Sequence, residues 1–308
     1  MKSRPPRTES QTGFALGVAA YGIWGLFPLY WPLLEPAGAV EILAHRVLWS
    51  LVTIGVLIVA LRRVTHLRAI LRNPRVRTLL TVGAVVIAIN WGTYIWGVNN
   101  GHVVEASLGY FINPLVTMLM GVLILRERLR PLQWAALGVA AAAVVVITVD
   151  YGRLPWVALV LAFSFGTYGL AKKQANTGAV ESLAFETVVL APVAIGYIAW
   201  LVATGSSSFG TEGAGHALLI TSSGAITAVP LICFGAAAIR LPMVTLGLLQ
   251  YLAPILQFAL GVFLFNEDMP TGRWIGFAMV WAALMVFTFE AVRHRRRQLR
   301  LTAEAAAL

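Results

Sequence analysis

The chain has little charge and almost no cysteine, and each shortage excludes a class of protein. Only 12% of its 308 residues are Asp, Glu, Lys or Arg, whereas 59% are hydrophobic, and the mean hydropathy is +0.80. Such a composition does not fit a soluble domain and is typical of an integral membrane protein. Cys233 is the single cysteine, so an intrachain disulfide and a cysteine-based metal site are both excluded.

Motifs for nucleotide hydrolysis and metal chemistry are also missing. The five histidines are scattered without the spacing of metal ligands. Neither a phosphate-binding GxxxxGK[ST] loop nor an HExxH helix occurs in the sequence. The sequence therefore predicts no metal, no cofactor and no enzymatic activity, and ATP hydrolysis within the chain is not expected.

Long apolar stretches dominate the sequence. A helix needs about 20 residues to cross a bilayer core. The stretches are continuously apolar rather than alternating, which favours helices over barrel strands. We predict an all-α integral membrane protein with ten transmembrane helices, near 13–34, 41–61, 78–98, 103–125, 132–149, 154–171, 183–203, 216–238, 243–265 and 272–292.

The two halves of the chain repeat one another with an offset of 140 positions. Identical residues recur without a gap at Glu41 and Glu181, Pro114 and Pro254, Gly121 and Gly261, Val122 and Val262, Glu127 and Glu267, and Trp134 and Trp274. So long a period indicates a duplicated half-protein rather than a solenoid. We predict a tail over 1–12, five-helix repeats over 13–150 and 151–292, and a basic tail over 293–308. An odd number of helices in each half makes the repeats inverted.

Positive charge predicts the orientation in the membrane. If the N-terminus is cytoplasmic, all but three of the 23 Lys and Arg residues fall in cytoplasmic segments, as the positive-inside rule requires. The exceptions are Arg46, Arg153 and Arg273. We therefore predict a multi-pass protein of the cell inner membrane with both termini cytoplasmic. Basic residues are spread over several segments rather than one face, which argues against a nucleic-acid partner.

Inverted repeats are typical of secondary transporters, whose binding site lies at the bilayer midplane between the halves. We predict a secondary-active permease for a small metabolite or drug. A passive channel remains an alternative, and a membrane-embedded transferase is a weaker one because paired acidic motifs are missing. The sequence does not specify the substrate, the direction of transport, the coupling ion or the oligomeric state.

Several longer strings also carry a resemblance to a known family. They are Glu41-Ile-Leu-Ala-His45-Arg46 with Trp49-Ser50, Asn90-Trp91 to Asn99, Glu105 to Pro114, and Gln250-Tyr251 before Pro254. In these strings the chain resembles the RarD family, which belongs to the EamA-type members of the drug/metabolite transporter superfamily. The resemblance implies a ten-helix inner-membrane permease in which helices 1–4 and 6–9 surround the pathway and helices 5 and 10 flank it.

Arg46 is the most unusual polar residue of the predicted spans. It lies about five residues, or about 7 Å, from the middle of its helix. Ionisable groups at such depth face a bundle interior and are functional candidates. Two interpretations stay open, a structural ion pair with Glu105 and a role in substrate binding or gating.

Other polar residues of the spans are candidates for the substrate pathway. Asn90 and Tyr94 share one helix face, as do Ser107, Tyr110 and Pro114, and Pro114 frees a backbone carbonyl. The second half offers a similar arrangement around Pro254. The predicted pathway residues are Arg46, Asn90, Tyr94, Ser107, Tyr110, Asn113, Pro114, Gln250, Tyr251 and Pro254.

Acidic residues and a histidine are candidates for coupling or gating. Glu186 is the repeat counterpart of Arg46, and inversion separates the two by about 14 Å along the membrane normal, which argues against a direct pair. A carboxyl group in lipid can hold a proton, which makes Glu186 the candidate for proton coupling. The coupling or gating candidates are Glu41, His45, Glu105 and Glu186.

Overall fold

A computed structural model describes residues 9–60, 70–125, 129–238, 240 and 249–306, and every regular element in this part of the chain is helical. Two 3₁₀ turns, Phe27–Leu29 and Trp31–Leu34, join the first two α-helices, and a π-helical turn, Leu260–Leu264, follows the ninth. The α-helices of the described residues are α1 Glu9–Gly25, α2 Ala39–Ala60, α3 Pro74–Asn99, α4 Val103–Leu125, α5 Pro131–Tyr151, α6 Trp156–Ala175, α7 Ala179–Ala203, α8 Gly213–Ala238, α9 Leu252–Ala259 and α10 Thr271–Ala306.

Local sequence explains where several helices begin and end. The Asn73 side chain accepts a hydrogen bond from the Val76 amide at 3.2 Å, and Pro74 opens α3, where a missing N–H costs nothing. Gly152 ends α5 with φ 63°, a left-handed conformation that glycine adopts without strain. Asn176 ends α6 with φ 47°.

The predicted spans agree with the helices in most places. Among the residues that the structure describes, eight helical segments are long and apolar enough to cross a membrane, and the apolar stretches Trp156–Lys172 and Leu252–Leu264 are shorter. The last helix continues to Ala306, beyond the predicted start of a tail at 293. Residues 243–248 of the ninth predicted span, the start of the N-terminal tail, and the basic or acidic positions Arg62, Arg63, Arg68, Arg126, Glu127 and Arg128 lie outside the described residues.

Helices at corresponding places in the two halves pack against each other in opposite directions. The first turn of α2 meets the segment after α7, where Glu41 accepts a hydrogen bond from the Ser208 amide at 2.8 Å. Glu267, just after α9, accepts from the Val103 and Val104 amides that begin α4. Ion pairs hold α5 and α10 antiparallel at both ends, Asp150 with Arg273 at 3.1 Å and Arg130 with Glu290.

Several other helix contacts of the described residues have a counterpart five helices away. α1 packs on α8, and α6 packs on α3; α2 packs on α8, and α7 packs on α3; α1 packs on α9, and α6 packs on α4. Exchanging each of these helices for the one five places away therefore gives another observed contact. Large apolar side chains cover much of the outside, as lipid-facing surfaces require, and Phe263 and Val149 are 77% and 76% exposed.

Candidate functional site

Arg46 is buried between α2, α3 and α8 with 3% of its surface exposed. Its Nε donates a hydrogen bond to Thr227 Oγ1 on α8 at 2.9 Å. In the described part of the chain no carboxylate lies within ion-pair distance of its guanidinium. Removing a charged group from water costs several kcal/mol, so an unpaired buried guanidinium needs compensation from its surroundings.

Aromatic rings supply part of that compensation. The guanidinium carbon lies 3.9 Å from the ring centroid of Trp91, 5.1 Å from that of Trp31 and 5.9 Å from that of Phe27. A desolvated cation–π contact is worth about 2 kcal/mol, less than the cost of burying the charge. The tyrosines whose hydroxyl groups also interact with this charge are Tyr30, Tyr94 and Tyr110.

Gly224 brings α8 close enough to α2 for the Arg46–Thr227 hydrogen bond. A Cβ atom at Gly224 would clash with the backbone carbonyl of Trp49, which cannot move aside as a flexible side chain could. Thr227 follows one turn later on α8, and Arg46 lies one turn from Trp49 on α2. The close crossing at Gly224 thus sets the position of the only hydrogen-bond acceptor that the described residues give to Arg46.

A tyrosine and a glutamine lie together beside the charge of Arg46. The Tyr94 hydroxyl and the Gln257 side chain interact with each other, and neither the hydroxyl nor Gln257 Oε1 has another partner among the described residues. Both residues are buried, at 3% exposure each, and Gln257 Nε2 donates to the Trp24 carbonyl at 3.1 Å. The contact joins the first half of the chain, through α3, to the second half, through α9.

Asn90 is satisfied by protein groups. Its Nδ2 donates to the Leu161 carbonyl and to Ser164 Oγ, both at 3.0 Å, and its Oδ1 accepts from the Tyr110 hydroxyl at 3.2 Å. The Asn90 side-chain amide therefore joins α3, α4 and α6.

The other predicted pathway residues lie in different surroundings. Ser107 Oγ donates to the Val104 carbonyl at 2.7 Å, and Asn113 accepts from Thr117 at 3.3 Å, so both bond within α4. Tyr251 packs with the α4, α5 and α10 side chains and interacts with Thr288 rather than with Arg46. Pro114 lies inside α4, Pro254 is buried within α9, and Gln250 precedes that helix.

The predicted ion pair between Arg46 and Glu105 is wrong. Glu105 binds Arg153 instead, with Oε2 2.7 Å from Nη2, and its Oε1 accepts from the Val157 amide at 3.0 Å. The hydrogen bond to Glu105 raises the pKa of Arg153 above its ordinary value. Arg153 follows the glycine that ends α5, so the loop delivers a counter-ion that the spacing within the spans did not reveal.

Glu186, the repeat counterpart of Arg46, is not a lone carboxylate. Its Oε1 lies 2.7 Å from Lys172 Nζ, and its Oε2 accepts from the Tyr168 hydroxyl at 3.2 Å. Lys172 also donates to Ser182 Oγ at 2.5 Å. Glu186 and Arg46 make separate sets of contacts, as the predicted distance between them requires.

Glu41 and His45 hold the segment that follows α7. Glu41 Oε1 accepts from Ser207 Oγ at 3.0 Å as well as from the Ser208 amide. The His45 ring stacks on Phe209 at 4.7 Å, and its nitrogens have no partner among the described residues. These contacts close one end of the bundle over α2.

Glu267 makes a second set of contacts between the two halves at the same end of the helix bundle. Its two carboxylate oxygens accept from the Val103 and Val104 amides at 2.5 and 3.0 Å, which satisfies donors at the start of α4. Burial raises the pKa of the Glu267 carboxyl, and the two amide donors partly offset that effect.

Comparison with known proteins identifies the relatives of this chain. Residues 11–149 match the EamA-like transporter family. A protein RarD of Streptomyces exfoliatus is 58% identical over 97% of this chain and 95% of its own length. The chain belongs to the RarD family. This family is EamA-type and lies within the drug/metabolite transporter superfamily.

A second relative agrees with this assignment, and a solved structure shares the fold. An uncharacterized transporter of Pseudomonas aeruginosa is 45% identical over 92% of this chain and 96% of its own length. A solved crystal structure with 19% identity superposes with a TM-score of 0.58 and covers 91% of this chain and 98% of that one. The RarD-family chain is thus a multi-pass membrane transporter, and its relatives are named as transporters rather than enzymes.

Sequence reasoning missed several residues of the RarD-family site. Trp91 belongs to a string that resembles the family, but no feature of the sequence indicates that its ring packs against the Arg46 guanidinium. Lys172 was assigned to a cytoplasmic segment, although the alternation of Tyr168, Lys172 and an apolar run could have placed it on α6. Thr227 gave no signal, because a threonine in an apolar helix usually bonds only to its own backbone.

Proposed function

We propose that this chain is a secondary-active permease for a small metabolite or drug, that it works by alternating access, and that its substrate binds at Arg46 between two inverted halves. The observation that carries the proposal is the composition of the site. Arg46, Trp91 and Tyr94 come from the first half, whereas Thr227 and Gln257 come from the second. A rocking motion of one half against the other would therefore change every contact to a bound molecule.

The contacts between helices support inverted repeats. α2 and α7, α4 and α9, and α5 and α10 are corresponding helices, and each of these pairs runs antiparallel. Several other contacts also have a counterpart five helices away, among them α1 with α8 and α6 with α3. Inverted repeats in turn require that all ten helices cross the membrane, including the shorter apolar stretches in α6 and α9.

The distribution of Lys and Arg supports a cell inner-membrane protein with both termini cytoplasmic. Reporters fused after Arg72, Lys173 and Arg300 should then read cytoplasmic, and one inserted at Ser207 should read external. A cytoplasmic Ser207 would contradict the inverted arrangement. In this orientation the contacts of Glu41 and Glu267 close the outer end of the bundle.

Proton coupling through Glu186 is part of the proposal. The carboxylate is buried within α7, and Lys172 and Tyr168 from α6 bind its two oxygens. Protonation would remove the attraction to Lys172 and loosen the contact between α6 and α7 near the cytoplasmic end. The proton would thus change the packing of the second half, as a coupled carrier requires.

The transport proposal is tested in sealed proteoliposomes. A substrate library is offered under an imposed pH gradient, an imposed sodium gradient and no gradient, and uptake is measured by mass spectrometry. Saturable uptake that a gradient drives above equilibrium supports a secondary permease. Flux that neither saturates nor follows a gradient would instead indicate a passive channel.

The coupling residue has its own test. Glu186→Gln keeps the shape of the side chain and cannot titrate, so it should abolish accumulation driven by pH while exchange of substrate across the membrane continues. Glu290→Gln is the matched control, because Glu290 is also buried in an ion pair but lies on α10 away from Arg46. If Glu186→Gln still concentrates substrate in response to pH, Glu186 is not the coupling site.

A further inference from the structure

We propose that the substrate of this site is a small organic anion whose carboxylate or similar group binds the terminal nitrogens of Arg46. The inference rests on the proposed function, and it adds the chemical class of the substrate. Its flat apolar part would lie along the aromatic rings that surround the guanidinium.

The first step is a balance of buried charge. Four buried acids are engaged elsewhere: Glu41 with the Ser207 and Ser208 segment, Glu105 with Arg153, Glu186 with Lys172, and Glu290 with Arg130. Glu181 is buried too, but it has a partner of its own, and no described ion pair joins it to Arg46. Arg46 is thus a buried cation whose counter-ion is not supplied by the described residues. The aromatic faces compensate only part of its desolvation.

The second step concerns the unused donors. Only Nε of Arg46 donates to a described residue, which leaves the two terminal nitrogens without a protein acceptor there. Thr227 holds the Nε edge of the guanidinium, and the Trp91 ring packs against its carbon at 3.9 Å. A planar guanidinium held in this way presents a fork that matches the two oxygens of a carboxylate.

The third step is the chemistry beside the fork. The Tyr94 hydroxyl and the Gln257 side chain interact with each other and have no other partner at the hydroxyl or at Oε1 among the described residues. Rings from α1 and from the turns after it, among them Trp24, Phe27 and Trp31, pack close by. An anion with a flat apolar part would supply the acceptor that the Arg46 fork lacks and would lie against these rings.

The binding test uses pairs of probes that differ only in charge. Purified protein in detergent is heated with benzoate or benzamide, phenylacetate or phenylacetamide, and indole-3-acetate or indole-3-acetamide. At about ten times its Kd, a bound acid should raise the unfolding temperature by about 3 °C. At least one acid should stabilise the protein more than its amide does. If no acid exceeds its amide, the inference is wrong.

Variants test whether the preference for acids over amides depends on Arg46. Arg46→Gln should abolish the preference for the acid, and Arg46→Lys should retain part of it because the charge stays. Arg240→Gln is the matched control, since Arg240 pairs with an exposed glutamate, Glu9, at 2.8 Å, and it should bind as the wild type does. A preference for the acid that survives Arg46→Gln overturns the inference. The comparison of acid with amide in the wild type does not depend on how any variant folds.

A transport assay distinguishes failure of the anion site from failure of the proposed permease. The same six compounds are offered to proteoliposomes. If amides are carried and acids are not, the permease stands and the anion site is wrong. If acids bind but no compound crosses under any gradient, the anion site stands and the proposed permease fails.

Discussion

Arg46 and Glu186 occupy equivalent positions in the two halves, and their surroundings differ in one decisive way. Glu186 has a cation, Lys172, at 2.7 Å and a tyrosine hydroxyl at 3.2 Å. Arg46 has a threonine and three aromatic faces but no described carboxylate. The second half therefore neutralises its buried charge within the protein, whereas the first half leaves a buried charge available for a ligand.

This difference separates stability from function. A buried ion pair that loses one partner destabilises the fold, because the remaining charge stays buried alone. A buried charge without a partner already lowers the stability of the native protein. Replacing it with an uncharged side chain should therefore not destabilise the fold. The two positions should consequently respond in opposite ways to neutralisation.

The largest effect is expected at Arg46. Arg46→Met should lower the initial rate of substrate uptake in proteoliposomes by about 100-fold, since losing a charged contact to a ligand costs about 3 kcal/mol. Its thermal unfolding temperature should stay the same or rise, because Met fills the space without a charge. A clear loss of thermal stability in Arg46→Met would show that the charge is already neutralised within the protein.

Neutralising Glu186 should have the opposite effect on the fold. Glu186→Gln leaves the partly buried Lys172 without its counter-ion and should lower the free energy of unfolding by about 2 kcal/mol. The double change Glu186→Met with Lys172→Met should recover most of that loss. Unfolding in detergent, followed by tryptophan fluorescence, measures both. Equal stability of Glu186→Gln and the wild type would contradict the ion pair.

A glycine on α8 tests how the halves bring the site together. Gly224→Ala would force α8 away from Trp49 and should cost about 2 kcal/mol, with loss of substrate binding as the Arg46–Thr227 bond breaks. Gly215→Ala, on the same helix but facing open space, should be nearly neutral. Thermal unfolding and the binding of acid probes should both separate the two variants. Similar results for the two alanines would argue against the close crossing.

The smallest effect is a pH dependence at Glu267. Burial raises the pKa of this carboxyl above its ordinary value of 4.5. The folded state therefore holds this proton more tightly than the unfolded state, so its contribution to stability is complete below pH 4.5 and is lost as the pH rises through the folded pKa. As the pH rises through the folded pKa, the unfolding temperature of the wild type should therefore fall relative to that of Glu267→Gln. A difference that does not change with pH would contradict this shift.

Much of the fold could be predicted, because the signals for helices are local. Apolar runs, Pro74 and Gly152 mark where helices begin and end, and most of the predicted spans coincide with a helix. The first predicted span, 13–34, departs from this, because α1 ends at Gly25 and two 3₁₀ turns that contain Pro28 and Pro32 follow it. The basic segment after 292 is helical as far as Ala306, since Arg, Gln, Leu and Ala are good helix formers.

The site could be predicted only in part. Depth in a span identified Arg46 and Glu186 as unusual, since a charge far from the interface is costly wherever it lies. The partners were not predictable in the same way. Glu105 was proposed for Arg46 because both are charged, whereas a loop residue, Arg153, had the geometry to reach Glu105.

The sequence by itself determined that this RarD-family chain is a helical membrane protein, because hydrophobic length and local caps act within single segments. The tertiary structure alone decided which buried charges are neutralised. Arg46 and Thr227 are 181 positions apart, and a close crossing at Gly224 joins them. Electrostatic and hydrogen-bond energies depend on distances of a few ångströms between helices, and such distances are set by packing rather than by the order of residues.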